Sequence, residues 1–174
     1  MYDHLPSADA VAVETLGLDP FEIGLLAVLR HFLTAFARPE TLAWQSAFAL
    51  AAERWGEARG PQIAMGLLPV LQALRTARQS DFDFANPLCV TCRAYVTGTE
   101  SAFMQMVQMM RRDQTKLARA AVHSLTDGTM DPGLIQAALA FAARHPAEAQ
   151  EVSPKVSASD PWQSLHYPHL RLVH

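Results

Sequence analysis

The sequence predicts an all-α fold: one helical-bundle-like domain of about six helices over residues 1–146, with an irregular C-terminal extension, 147–174. Three observations carry this expectation. Apolar residues recur at three- and four-residue spacing rather than alternating. Proline, glycine and aspartate divide the segments in the order of helix caps and stops. Finally, 29 of the 174 residues are alanine, the strongest helix former. No segment sustains the period-2 Val/Ile/Thr pattern of a strand, so strands are not expected, and no internal repeat is present.

The first helix starts at Asp19-Pro20, where Asp19 can cap free N–H groups and Pro20 fits a position that needs no donor. It runs to about Arg38, because Pro39 disfavours a helical residue before it. Phe21, Leu25, Val28, Leu29, Phe32 and Phe36 form one face, and Ile23, Leu26 and Leu33 the other. A helix apolar nearly all round is central in its domain or buried between subunits. A second helix is expected from about Glu40 to Glu57, with Trp44, Phe48, Ala51, Ala52 and Trp55 at helical spacing and Gly56 and Gly60 marking its end. The third starts at Pro61. Pro69 would clash with the carbonyl of Met65, so it is expected to be kinked or to form two pieces.

Residues 80–96 read as irregular. Thr97 and Glu100 then form a capping box that opens a helix to about Arg112. Asp113 is expected to cap a further helix to Leu125, closed by Asp127-Gly128. Asp131-Pro132 opens the last helix, which stops at His145-Pro146. The extension contains Pro154, Pro161 and Pro168, yet Trp162, Leu165, Tyr167, Leu170, Leu172 and Val173 are costly to leave in water. It is therefore expected to dock.

Composition narrows the function classes. Half the residues are apolar and 18% are charged, which supports a folded core and excludes global disorder. A net charge of −3 and a pI near 6.1 give no overall basic field for nucleic acid or anionic membrane. The longest apolar runs, Ile23–Leu29 and Ile63–Leu74, fall short of the roughly 18 residues of a membrane span. Residues 1–20 hold Asp3, Asp9 and Glu14 but no Lys or Arg, unlike a secretory signal. The expected location is the cytoplasm, without a membrane partner. Two cysteines cannot build the disulfide framework of a small secreted protein.

Cys89-Val-Thr-Cys92 is the most specific feature, since two random cysteines would fall at this spacing only about once in a hundred chains of this length. Such a pair can share one metal ion or one disulfide. A tetrahedral zinc site needs two more ligands. The candidates are His4, His31, His123, His145, His166, His169 and His174, with Asp81 and Asp83 near in sequence. His166 and His169, three apart, have an acceptable ligand spacing, so Cys89, Cys92, His166 and His169 form the candidate set. A dimer contributing two pairs to one zinc, or to an iron–sulfur cluster, would also complete a site. A redox role needs a thiolate stabilised by a helix start or a cation. Arg93 adjoins Cys92, but the clear helix start at Thr97 lies downstream. A third alternative is two reduced structural cysteines in a packed loop. Covalent haem attachment is excluded, because Arg93 stands where a His would be required.

An all-helical chain with this cysteine spacing resembles the alkylhydroperoxidase-like family. That pattern has a Glu before the cysteines and a His four residues after the second. Asn86-Pro87-Leu88 precede Cys89 here and Val96 holds the later position, so the likeness covers only the cysteines and the helical class.

Phe103, Met106, Val107 and Met110, widened by Met104 and Met109, form a stripe that serves as a core face or as a pliable surface for a partner helix or apolar ligand. Arg111, Arg112, Lys116 and Arg119 concentrate positive charge, read as helix-end and solvated charge with phosphate binding as the alternative. His31 reads as a core-edge histidine, and Asp81 and Asp83 as turn residues. The link from Thr126 to Asp131 is long for a helix-turn-helix. No Ser-His-Asp set, phosphate-binding glycine loop or HExxH occurs. The sequence therefore points to a cytoplasmic interaction or regulatory module rather than an enzyme, with zinc at the CxxC as its cofactor. The alternatives are a thiol–disulfide protein using Cys89 and Cys92, and a binder of an apolar ligand or helix through the Met-rich face. A homodimer, through the first or the Met-rich helix, and a protein partner are expected.

Overall fold

The computed structural model describes residues 10–147 and has the expected all-α architecture. The chain runs through β1 (Val11–Ala12), α1 (Pro20–Ala37), α2 (Ala43–Trp55), α3 (Gly60–Ala77), β2 (Tyr95–Val96), α4 (Gly98–Arg111), α5 (Thr115–Leu125) and α6 (Pro132–Arg144). The expected docking of the extension, including Trp162 and Tyr167, lies outside the described residues.

The apolar surface of α1 is used inside the domain. Leu25, Leu26, Val28, Leu29, Phe32 and Leu33 are all buried, and α1 packs against both α2 and α4. Asp19 caps the α1 N-terminus, and Glu22 returns the bond to the Asp19 N–H, a complete capping box. The α1 and α2 helices run antiparallel: Gly24 lies under the Trp55 indole, and Phe32 meets Phe48 edge-on at 5.6 Å. From α2 the chain turns at Gly56, whose φ of 83° suits glycine, into α3. The α6 helix covers α3 and α4, burying Leu134, Ala138 and Phe141, while α5 packs on α4. The Met-rich face of α4 is core: Phe103, Met104, Met106 and Val107 are buried, and Met109 and Met110 are half-buried.

Several expectations need correction. A two-residue antiparallel ladder joins β1 to β2, pairing Val11 with Val96. It is too short to leave a period-2 signature in sequence. The third helix is one uninterrupted element with Pro69 inside it. Pro69 is exposed and Met65 is 57% exposed, so the carbonyl robbed of its donor lies on the water-facing side. The second helix starts at Ala43, not Glu40. A short 3-10 turn, Pro39–Thr41, precedes it, and Leu42 breaks the chain direction at φ 51°. Asp113 does not cap α5: it takes φ 54° and Gln114 holds the cap position without a side-chain bond. At 18 residues with a mean hydropathy of 1.3, α1 has the length and composition of a membrane span, although no unbroken apolar run spans it. More than half of it is buried, and it carries the buried charges Glu22 and Arg30.

Gly60 does not end α2. It is the first residue of α3, pressed on the α2 backbone. A Cβ there would lie 2.2 Å from the Ala51 carbonyl oxygen, and backbone cannot rotate away as a side chain can. Gly60→Ala should therefore cost at least about 3 kcal/mol in urea unfolding, the upper range of overpacking.

His145, just past α6, has its ring centroid 4.8 Å from Phe141 and 5.3 Å from Phe21. Burial, aided by the charges of Arg59, Arg144 and Arg111, lowers its pKa from 6.5 to about 4. Above pH 6.5 the imidazole is neutral in both folded and unfolded chains. Between 6.5 and about 4 the unfolded chain binds a proton that the folded one refuses, so this group makes stability fall as pH drops through that window. His145→Asn should flatten the decline, as measured by urea midpoints between pH 7 and 4.5.

A candidate thiol site on a clamped loop

The chain between α3 and α4 carries the CxxC, and one buried ion pair fixes both of its flanks. Glu100 stands in the first turn of α4 and is fully buried. Its Oε2 accepts the Thr97 N–H at 3.0 Å, and Thr97 Oγ1 accepts the Glu100 N–H, completing the capping box read from sequence. Glu100 also accepts the Ala85 N–H at 3.2 Å and two N–H groups of Arg30, at 2.7 and 3.0 Å. The carboxylate thus receives four hydrogen bonds, which offsets much of the cost of burying it. Arg30 comes from the middle of α1 and donates further to the carbonyls of Arg93 and Tyr95. The hydroxyls of Thr97 and Thr99 both donate to the Asp83 carbonyl. Residues 83–97 are therefore pinned at Asp83, Ala85, Arg93, Tyr95 and Thr97, and the thiols sit at the projecting end.

At that end, Cys89 occupies the cap of a tight turn. Its carbonyl accepts the Arg93 N–H at 3.1 Å, and its Sγ accepts the Cys92 N–H at 3.2 Å. A 3-10 turn, Cys92–Ala94, follows. The two thiols are free, half-buried and within hydrogen-bonding reach of each other. Their environments differ. The Cys92 thiol and then the Cys92 N–H hydrogen-bond to the Cys89 sulfur and lower its pKa, with help from the Arg93 charge. The same bond to Cys89, with some desolvation, raises that of Cys92. Leu88 and Val90, on either side of Cys89, are 81% and 74% exposed. Asp81 and Asp83 lie in extended, irregular chain rather than in a turn or cap, and act through their carbonyls, which accept from Arg78 and from the two threonines.

Among the described residues no group of three or more His, Cys, Asp or Glu side chains comes together to hold a metal ion. His166 and His169 lie outside the described residues, as do His4 and His174. His31 is half-buried at the edge of the core, where desolvation lowers its pKa.

Sequence reasoning identified Glu100 as a cap but missed Arg30 as its partner, since the two are seventy positions apart. The one signal was a charged residue inside an otherwise apolar helix. It also placed Arg111 and Arg112 on a charged surface. Both bind Glu22, Arg111 from within the core.

Arg30→Met strands Glu100 as a buried unpaired charge and should cost about 3–5 kcal/mol in urea unfolding. Adding Glu100→Gln should recover much of that loss, but amide exchange protection over residues 85–97 should stay reduced. Comparison with protein-family models, with curated proteins and with solved structures finds no match.

Proposed function

We propose that the chain is a thiol–disulfide exchange module acting on a protein partner, with Cys89 as the attacking thiol and Cys92 as the resolving one. The observation that carries this reading is the Cys92 N–H aimed at Cys89 Sγ, 3.2 Å away, on a loop held by Arg30 and Glu100. A donor in that place stabilises the thiolate, which is the nucleophile in exchange. The raised pKa of Cys92 keeps the second sulfur protonated until it is needed.

The exchange balances without a cofactor. The Cys89 thiolate attacks one sulfur of a partner disulfide, forms a mixed disulfide and expels the other partner sulfur as a thiolate, which takes a proton from water. Cys92 gives up its proton and attacks Cys89 Sγ, closing the Cys89–Cys92 disulfide and releasing the second partner thiol. The dithiol loses two electrons and the partner disulfide gains two. Exposed Leu88 and Val90 offer an apolar contact for the polypeptide around that disulfide.

Zinc held by Cys89 and Cys92, with His166 and His169 as further ligands, is the second reading, and it uses the same paired sulfurs. One experiment separates the two. Iodoacetamide labelling followed by peptide mass spectrometry should modify Cys89 before Cys92, with a pH midpoint below the ordinary thiol value of about 8.5. Cys92→Ala should move the Cys89 midpoint upward and should trap a mixed disulfide with oxidised glutathione. Equal labelling with ordinary midpoints overturns the exchange reading. Stoichiometric zinc in untagged protein, with thiols that label only after chelation, overturns it in favour of the metal.

A further inference from the structure

A cleft of about 1200 Å³ opens beside the other end of α4, away from the thiols. Its walls come from the start of α1, the α2–α3 turn, the end of α4 and the chain after α6. Four guanidinium groups line it: Arg54, Arg59, Arg111 and Arg112. Arg111 and Arg112 are engaged by Asp19 and Glu22. Arg54 and Arg59 are exposed and have no acidic partner among the described residues. Four cations against those two carboxylates leave a surplus of about two positive charges, which matches a dianionic phosphoryl group better than a single carboxylate. The remaining wall is apolar and aromatic, with Leu18, Phe21, Trp55 and Pro146. The volume exceeds what a bare inorganic anion fills and suits a small organic molecule.

The His145 ring is part of this wall, and its Nδ1 is the one buried side-chain polar atom without a hydrogen-bond partner among the described residues. Burial, and after it the charges of Arg59, Arg144 and Arg111, hold that ring neutral. The cleft is therefore a place where positive charge accumulates beside low-dielectric walls, the arrangement that concentrates anions.

We propose that this cleft binds an organic phosphate, with Arg54, Arg59 and the exposed edge of Arg112 on the phosphoryl group and Phe21 and Trp55 against the body of the molecule. The site is separate from the thiols, so Cys89→Ser with Cys92→Ser should leave binding unchanged.

Calorimetric titration of the full chain in phosphate-free buffer tests it, with adenosine 5′-monophosphate, inorganic phosphate and adenosine as probes. The expected result is saturable binding of the monophosphate, weaker binding of inorganic phosphate and none of adenosine. Arg54→Ala with Arg59→Ala should weaken the monophosphate at least about tenfold while leaving the circular dichroism melt in place. Arg59→Gln alone, a milder change, should lie between. The proposal is overturned if neither phosphate binds at about 10 mM, if adenosine binds as tightly as its monophosphate, or if both arginine variants bind like the original chain. Because the full chain is used, a cleft filled by the protein's own residues after Ala147 would appear as no binding and count against the proposal.

Discussion

Two buried glutamates, each closed in by arginine from the other helix, hold α1 and α4 together. Glu22, at the start of α1, receives Arg111 and Arg112 from the end of α4, and Glu100, at the start of α4, receives Arg30 from α1. The exchange is reciprocal because the helices run antiparallel. Each glutamate also completes its own capping box, so one carboxylate satisfies a helix start and fixes a neighbouring helix. Both accept four hydrogen bonds and both are fully buried. Such pairs add little net stability over an apolar contact of similar volume. Their cost when broken is large, because the glutamate left behind is a buried, unpaired charge.

The two clamps sit near opposite ends of α4, and each supports a different surface. At the Glu100 end, Arg30 reaches past the carboxylate to the carbonyls of Arg93 and Tyr95, which follow Cys92 in the loop. At the Glu22 end, Arg111 also donates to the carbonyl of His145 at 2.7 Å, which draws the end of α6 toward the start of α1 and closes one wall of the cationic cleft. The Arg111 guanidinium lies 4.5 Å from the centre of the Phe21 ring, so the same residue connects the polar clamp to the aromatic wall. The paired helices α1 and α4 thus have the dithiol loop near one end and an arginine-lined cleft near the other.

The helices and their starts were largely legible. Asp19, Thr97 and Asp131 all cap as their spacing predicts, because a cap is a local interaction settled within four residues. Helix starts without such a side chain were misjudged. Leu42 and Asp113 adopt left-handed backbone that neither residue type advertises, and α2 and α5 begin one or more residues later as a result. Pro69 misled for a related reason. The rule against internal proline is local, but its cost depends on whether the orphaned carbonyl meets water, which only the fold decides. At the candidate site, the cysteine pair was visible as a spacing and Thr97 and Glu100 as a cap, while Arg30, seventy positions from Glu100, was not.

The sequence by itself determined the helical class, three capped helix starts, the need to cover the most apolar helix on nearly all sides and the proximity of two sulfurs. Each follows from interactions between residues close in the chain or from the amount of apolar surface to be covered. The tertiary structure alone decided that Arg30 meets Glu100, that Glu22 meets Arg111, and that Arg54, Arg59 and His145 share one cleft. It also decided that Cys89 receives a backbone donor, since that turn is held from below by a helix some sixty residues earlier. Charge pairing across such separations leaves no periodicity to read. It is fixed only when packing brings the helices into register.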